Sequence, residues 1–168
     1  ANFTAADVPA QLWISLDTTP TGERMVAVGF GGGMYLSTDT GATWNRIDTA
    51  INATNAVQYE SVTISDDGSR IVAAVLNGPV WVSSNATAQT PTFTQATLAG
   101  GGALTDAFRA VDSSARGSRV VAASPNGNVY RSGDGGATFA PLPVTVGGTE
   151  VVNGWYRVAM SDDGTRIA

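Results

Sequence analysis

The chain has 168 residues, 43% of them hydrophobic and 14% charged, with 20 glycines and a formal charge of −5, a composition that folds around a core rather than staying disordered. It contains no His, no Cys and no Lys, its nine basic residues all being Arg. This removes disulfides, thiol nucleophiles, Ser-His-Asp triads and the His or Cys ligands of zinc, haem and iron–sulfur sites. With no basic run and no apolar run of membrane-spanning length, nucleic acid and lipid are poor partners. In chain order the elements are short strands bounded by Gly, Asn, Asp and Pro. Met25–Val28 reads as a strand. Tyr59–Ser65, Arg70–Val75 and Val80–Ser83 follow, separated by turns at Asp66-Asp67-Gly68-Ser69 and Leu76-Asn77-Gly78-Pro79. A further strand starts near Phe93, and Arg119–Ala123 is another. All are rich in β-branched residues, and no stretch sustains a helical period. The expected class is all-β.

The strands repeat. Gly22, Gly68, Gly117 and Gly164 lie 46, 49 and 47 residues apart. Nine residues before each stands an aromatic (Trp13, Tyr59, Phe108, Trp155), and two after stands Arg24, Arg70, Arg119 or Arg166. Tyr35, Trp81 and Tyr130 lie thirteen residues after the first three glycines, followed by Ser37, Ser83 and Ser132 at fifteen. Asp39, Asn85 and Asp134 come at seventeen. A period near 47 residues suits a unit of four strands.

Two octapeptides close the repeat: Ser37-Thr38-Asp39-Thr40-Gly41-Ala42-Thr43-Trp44 and Ser132-Gly133-Asp134-Gly135-Gly136-Ala137-Thr138-Phe139. Their common pattern, S-x-D-x-G-A-T-aromatic, resembles the Asp-box of the BNR (sialidase-type) repeat. The resemblance implies a β-propeller whose blades are four-stranded antiparallel sheets, with the box on the turn between the outer two strands. The structural residues it implies are Ser37, Asp39, Gly41, Trp44, Ser132, Asp134, Gly136 and Phe139. The middle copy, Ser83-Ser84-Asn85-Ala86-Thr87, is degenerate: it lacks the glycine and has about three extra residues before Phe93. On this frame residues 1–10 are the outer strand of a preceding blade. Blades then cover 11–49, 57–98 and 106–143, and 153–168 starts a fourth. The expectation is a propeller incomplete at both ends, and hence not a free-standing monomer. Its partners would be the remainder of a longer chain or other subunits.

Each box carries one carboxylate, whereas a calcium loop needs several oxygen ligands at alternate positions. Asp39 and Asp134 are therefore expected to brace turns, with no metal and no cofactor. The pairs Asp66-Asp67 and Asp162-Asp163 read as turn signals to which the repeated Arg could pair. Sialidases carry three arginines, a Tyr–Glu pair and an acid Asp, the first arginine lying in Arg-Ile-Pro. That motif is absent here, and the four arginines share one repeat column. The resemblance also extends to sortilin-type receptors, xyloglucan-cleaving glycosidases and photosystem II assembly factors. Only Glu60, Asp106 and Glu150 lie near loops where facing acids could act, and no catalytic residue is assigned. The three asparagines in N-x-T patterns, Asn2, Asn52 and Asn85, read as chance matches in an Asn- and Thr-rich chain.

Binding is expected where the repeat varies, on the loops Asp48–Gln58, Leu98–Ala107 and Pro143–Gly154. The mixed column Ile14, Glu60, Arg109, Tyr156 follows the aromatic one, and Glu60, Arg109, Trp155 and Tyr156 form the candidate rim for a protein or glycan ligand. The sequence therefore points to a non-enzymatic secreted or cell-surface scaffold or binding module. The competing expectation is part of a sialidase-like or xyloglucanase-like enzyme whose catalytic residues lie in other blades.

Overall fold

The computed structural model describes residues 8–54, 56–151 and 154–168. The strand expected over 1–10 falls mostly on residues 1–7, outside the described residues, and residues 8–10 belong to no strand. Among the described residues there is no helix. β1 (Leu12–Thr18), β2 (Met25–Phe30), β3 (Met34–Ser37) and β4 (Asn45–Arg46) form an antiparallel meander. β5 (Tyr59–Ile64), β6 (Ile71–Val75), β7 (Gly78–Ser83) and β8 (Thr94–Gln95) form the second sheet. After β8 the chain crosses: β9 (Thr97–Leu98) pairs in parallel with the third sheet, and β10 (Thr105–Asp106) returns to pair with β7. The third sheet is β11 (Ala110–Ser113), β12 (Val120–Ala123), β13 (Val129–Ser132) and β14 (Thr138–Pro141). A small hairpin, β15 (Thr145–Val146) with β16 (Thr149–Glu150), follows. Residues 154–168 carry one isolated bridge, Met160 to Ile167.

Stacking explains why the second strand of each sheet is apolar without alternation. β6 and β12 are buried along their whole length, because both faces of the sheet meet a neighbour. Between the first two sheets, Val26, Val28, Met34 and Leu36 pack on Tyr59, Val62, Ile71 and Ala73. Between the second and third, Val72, Val80 and Val82 pack on Phe108, Val111, Val120 and Phe139. Each fully buried large side chain of this kind contributes about 1.5–3 kcal/mol.

The innermost strand of each sheet is an edge, with backbone N–H groups that need acceptors. Side chains of the preceding inner strand supply them. The Ile64 N–H donates to Asp17 Oδ2 at 2.8 Å and the Val62 N–H to Ser15 Oγ at 3.2 Å. The Val111 N–H donates to Ser61 Oγ at 3.1 Å, and the Met160 N–H to Asp112 Oδ2 at 2.6 Å. Thr63 and Ser113 share a hydroxyl–hydroxyl bond of 3.0 Å.

At the other end of these strands lies the Gly-x-Arg column. A Cβ on Gly68 would stand 2.4 Å from Arg24 Cδ, one on Gly117 2.9 Å from Arg70 Cδ, and one on Gly164 2.6 Å from Arg119 Cδ. The arginine of each unit thus lies across the turn glycine of the next. The expected pairing of these arginines with the turn carboxylates does not form. Arg24 donates to the Ala86 carbonyl at 2.6 Å, and Arg119 to the carbonyls of Asp163 and Gly164. The carboxylates are already occupied: Asp67 Oδ1 accepts from the Ser65 hydroxyl and the Ser69 N–H, and Asp163 is held in the same way. The turn expected at Leu76–Pro79 is also shorter. Asn77 takes a positive φ of 51°, which closes the hairpin early, so β7 begins at Gly78 and includes Pro79.

Gly117 combines a φ of 63° with that close approach, whereas Gly31 has a φ of 64° and no atom within 4 Å of a built Cβ. Gly117→Ala is expected to cost about 2–4 kcal/mol and Gly31→Ala only about 1–2 kcal/mol. Denaturant unfolding of the two variants measures the difference. Equal losses would mean that contact with Arg70 is not what the glycine column serves.

Candidate functional site

The octapeptides 37–44 and 132–139 form turns with the same hydrogen-bond pattern. The Ser37 hydroxyl donates to Asp39 Oδ1 at 2.8 Å and itself accepts the Gly41 N–H at 2.9 Å. Thr43 donates its N–H to Oδ1 at 2.8 Å and its hydroxyl to Oδ2 at 2.6 Å. Ser132, Gly136 and Thr138 repeat this around Asp134 with the same atoms. Positive φ at Gly41, Gly135 and Gly136 closes the turns; Phe139 then lies in β14, and Trp44 stands immediately before β4. Phe139 is fully buried, while Trp44 is half-buried with its indole N–H on the Gly41 carbonyl. Bonds from Thr43 and Ser37 hold the Asp39 carboxyl below its usual range. Burial pushes Asp134 up, but donors from Thr138 and Ser132 outweigh it and its pKa is lowered. The degenerate copy works with an amide oxygen. Asn85 Oδ1 accepts from Ser83 and, after a longer loop, from the N–H and hydroxyl of Thr92.

The opposite face of the sheets carries the candidate rim. The register of β1 against β2 shifts between Trp13 and Ser15, and that of β5 against β6 between Tyr59 and Ser61. Ile14 and Glu60 are therefore bulge residues, and a bulge re-aims the side chain it carries. Two of the four residues of the mixed column are thus bulges, while Arg109 stands immediately before β11 and Tyr156 lies in no strand. Glu60 and Arg109 are brought together: the guanidinium donates to Glu60 Oε1 at 2.6 Å. Arg109 also keeps a buried Nε–H without a protein acceptor. Tyr156 is 60% exposed. Trp155 is half-buried, donates its backbone N–H to the Ser124 carbonyl at 3.3 Å, and leaves its indole N–H buried and unpartnered. Pro125 contacts the position where Gly154 would carry a Cβ, so the 154–156 segment sits on the turn after β12.

Two polar hubs beside this rim were not singled out as such in the sequence. Asp48 is fully buried. Its carboxylate accepts from Arg46 Nε at 2.8 Å, Asn52 Nδ2 at 2.9 Å and the Tyr59 hydroxyl at 3.0 Å. Asn52 also donates to the Gly32 carbonyl. Burial and the neighbouring Asp48 push the Tyr59 phenol well above its ordinary value. Asn52, buried and committed to these bonds, is closed as a glycan acceptor. Asp106, one of the three acids considered above, accepts from Ser124, Asn126, Asn128, Tyr130 and the Ala107 N–H. Burial raises its pKa, but these donors, Asn128 and Ser124 first, win and lower it. A glycosidase acid needs the opposite shift. Glu60 is neutralised by Arg109, and Glu150 lies exposed on β16.

No family model matches the sequence, and no curated protein does. Solved structures do match. YCF48 bound to D1 peptide aligns with a TM-score of 0.66 at 16% identity, over 97% of this chain and 52% of that one. The Niastella koreensis GH74 enzyme aligns with a TM-score of 0.60 at 18% identity, over 79% of this chain and 18% of that one. The GH74 xyloglucanase from Xanthomonas campestris gives 0.58 at 19% identity, over 90% and 21%. The chain thus spans from about a fifth to about half the length of these structures. Its fold is that of β-propeller blades: antiparallel sheets stacked face to face, not closed into a ring among the described residues.

Removing the Asp134 carboxylate leaves the donors of Ser132 and Thr138 unpaired, so Asp134→Ala is expected to lower stability by roughly 1–3 kcal/mol. Because its folded pKa is depressed, this contribution is complete above the unfolded carboxylate value of about 4 and is lost as pH falls through the lower, folded value. Denaturant unfolding of wild type and variant should therefore differ at neutral pH and converge in strong acid. A gap that persists at low pH would show that the carboxylate is not the stabilising group.

Proposed function

We propose that the chain is part of a BNR/Asp-box propeller acting as a non-enzymatic binding module in a secreted or surface protein. Its ligand, a peptide segment or a glycan, would be held at the rim of Glu60, Arg109, Trp155 and Tyr156. The observation that carries this reading is the mixed column Ile14, Glu60, Arg109, Tyr156: it follows a column that is aromatic in every unit, yet it holds a cross-unit ion pair and an exposed tyrosine. Support comes from the peptide carried by the YCF48 structure, and from the donors gathered on Asp106 and the Arg109 ion pair on Glu60, which disfavour acid catalysis at these two groups. In this reading the units 11–49, 57–98, 106–143 and 153–168 are successive blades.

The second reading, part of a glycoside-active enzyme, is favoured by the GH74 likeness and places the catalytic acids in other blades. Selection from a displayed library of random short peptides, alongside an array of glycans, distinguishes them. Binding should appear and fall about tenfold or more, roughly 1.4 kcal/mol, in Tyr156→Ala and in Arg109→Ala, with folding retained by circular dichroism. Absence of any ligand, or a ligand indifferent to both changes, would sink the rim. Hydrolysis of xyloglucan oligosaccharides by a protein containing these blades, unchanged by Glu60→Gln, would favour the second reading.

A further inference from the structure

The middle box departs from its two neighbours at two positions, and together the departures create an acceptor pattern. Asn85 stands where the others have Asp39 and Asp134, and Thr87 stands where they have Gly41 and Gly136. The result is Asn85-Ala86-Thr87, the N-x-T pattern of N-linked glycosylation. Composition gives no reason to prefer one of the three N-x-T matches over another, but their surroundings do. Asn2 lies outside the described residues. Asn52 is 2% exposed, with its Nδ2 on the Gly32 carbonyl at 2.6 Å and on Asp48 Oδ2 at 2.9 Å. Asn85 and Thr87 are both exposed.

The orientation of the Asn85 amide is fixed by its neighbours. One atom of it faces the Thr92 N–H at 2.9 Å. A backbone N–H can only donate, so that atom is the oxygen, Oδ1. The Ser83 and Thr92 hydroxyls donate to the same Oδ1 at 3.0 and 3.2 Å. All the bracing of the turn therefore falls on one atom of the amide. Among the described residues the other atom, Nδ2, has no protein acceptor, and it is not buried. The acidic boxes differ here. Asp39 and Asp134 use both carboxylate oxygens on Thr43 and Thr138.

We propose that Asn85 is the acceptor of an N-linked glycan. The co-reactant is an oligosaccharide carried on a lipid pyrophosphate. Nδ2 attacks the anomeric carbon of its first sugar, the bond from that carbon to the pyrophosphate oxygen breaks, and the lipid pyrophosphate leaves with the bonding pair. Nδ2 gives up one proton, and nothing is oxidised or reduced. The product is still an amide. Its Oδ1 is untouched, so the bonds from Ser83 and Thr92 survive the modification. At Asn52 the same step would break the bonds to Gly32 and Asp48. The box turns lie on the face opposite the rim, so a glycan on Asn85 leaves the rim open. The proposal rests on the secreted or surface reading above, because an N-x-T acceptor functions in a secreted protein.

The test secretes the full chain from cultured animal cells behind a signal peptide, with an Asn-Gly-Thr sequence in a C-terminal tag as an internal reference. Enzymatic deglycosylation in heavy-oxygen water converts each occupied Asn to a mass-labelled Asp, which peptide mass spectrometry reads. Asn85 should be labelled in most of the secreted chains. Thr87→Ala and Asn85→Asp should each abolish the label while secretion and the β-sheet circular dichroism are kept, and Thr87→Ser should retain it. An occupied reference beside an empty Asn85 overturns the proposal. So does a label at Asn85 found only in chains retained as insoluble material, since the glycan is then incompatible with the turn. The peptide and glycan selection described above, run on chain made in bacteria, reports on the rim separately, so an empty Asn85 leaves that reading standing.

Discussion

The structure depends on satisfying the inner edge of each sheet. A strand with one hydrogen-bonded neighbour exposes N–H and C=O groups on its other side, and inside a stack of sheets water does not reach all of them. Here the preceding inner strand answers with side chains. Asp17 and Asp112 each use one oxygen for the next N–H of their own strand and the other for an N–H of the following unit. Ser15 and Ser61 each accept one N–H of the following unit on a hydroxyl oxygen. Burial, with Asp17 nearby, raises the Asp112 pKa even though Met160 and Ser113 donate to it. This bracing spaces the units, and the spacing in turn lets each arginine reach the glycine of the next turn.

Much of this was legible because a repeat shows its structural residues as columns. Gly, Arg and aromatic columns, together with the box, marked the turns and the strands between them, and β5, β6 and β8 lie within a residue or so of their expected starts. Cross-unit contacts were less visible. The arginines looked like partners for aspartates, since charge is what a sequence displays. Their stacking across Gly68, Gly117 and Gly164 depends on the offset between neighbouring sheets, which periodicity within a unit does not contain. The inner-strand column Asp17, Thr63, Asp112 mixes carboxylates with a hydroxyl, and all three bond to the following unit. The split of the second outer strand into β8 and β9 likewise depends on the third sheet offering β14 as a partner.

The candidate rim shows the same division. Repeat variation located Glu60, Arg109 and Tyr156 as a column that differs, but not the bulge that re-aims Glu60. The hubs at Asp48 and Asp106 were hidden for another reason. Most of their donors stand on other elements, the β12–β13 connection and β13 for Asp106, β4 and β5 for Asp48, and a carboxylate gathered by such donors has no local signature. These hubs pin the base of the variable loops. The loop surfaces above them can then change without loosening the sheets.

The middle box turn has a consequence for how such a protein can grow. Its oxygen acceptor is a neutral amide, and the chain returns to it at Thr92, seven residues on, where the acidic copies return after four. Closure depends on the returning N–H and hydroxyl rather than on the length between. Loop closure itself becomes only slowly more costly with length. The stretch between Ala86 and Thr92 is thus a natural entry point for inserted sequence, up to whole domains, on the face away from the rim. A lineage could add bulk there while the sheets kept their register.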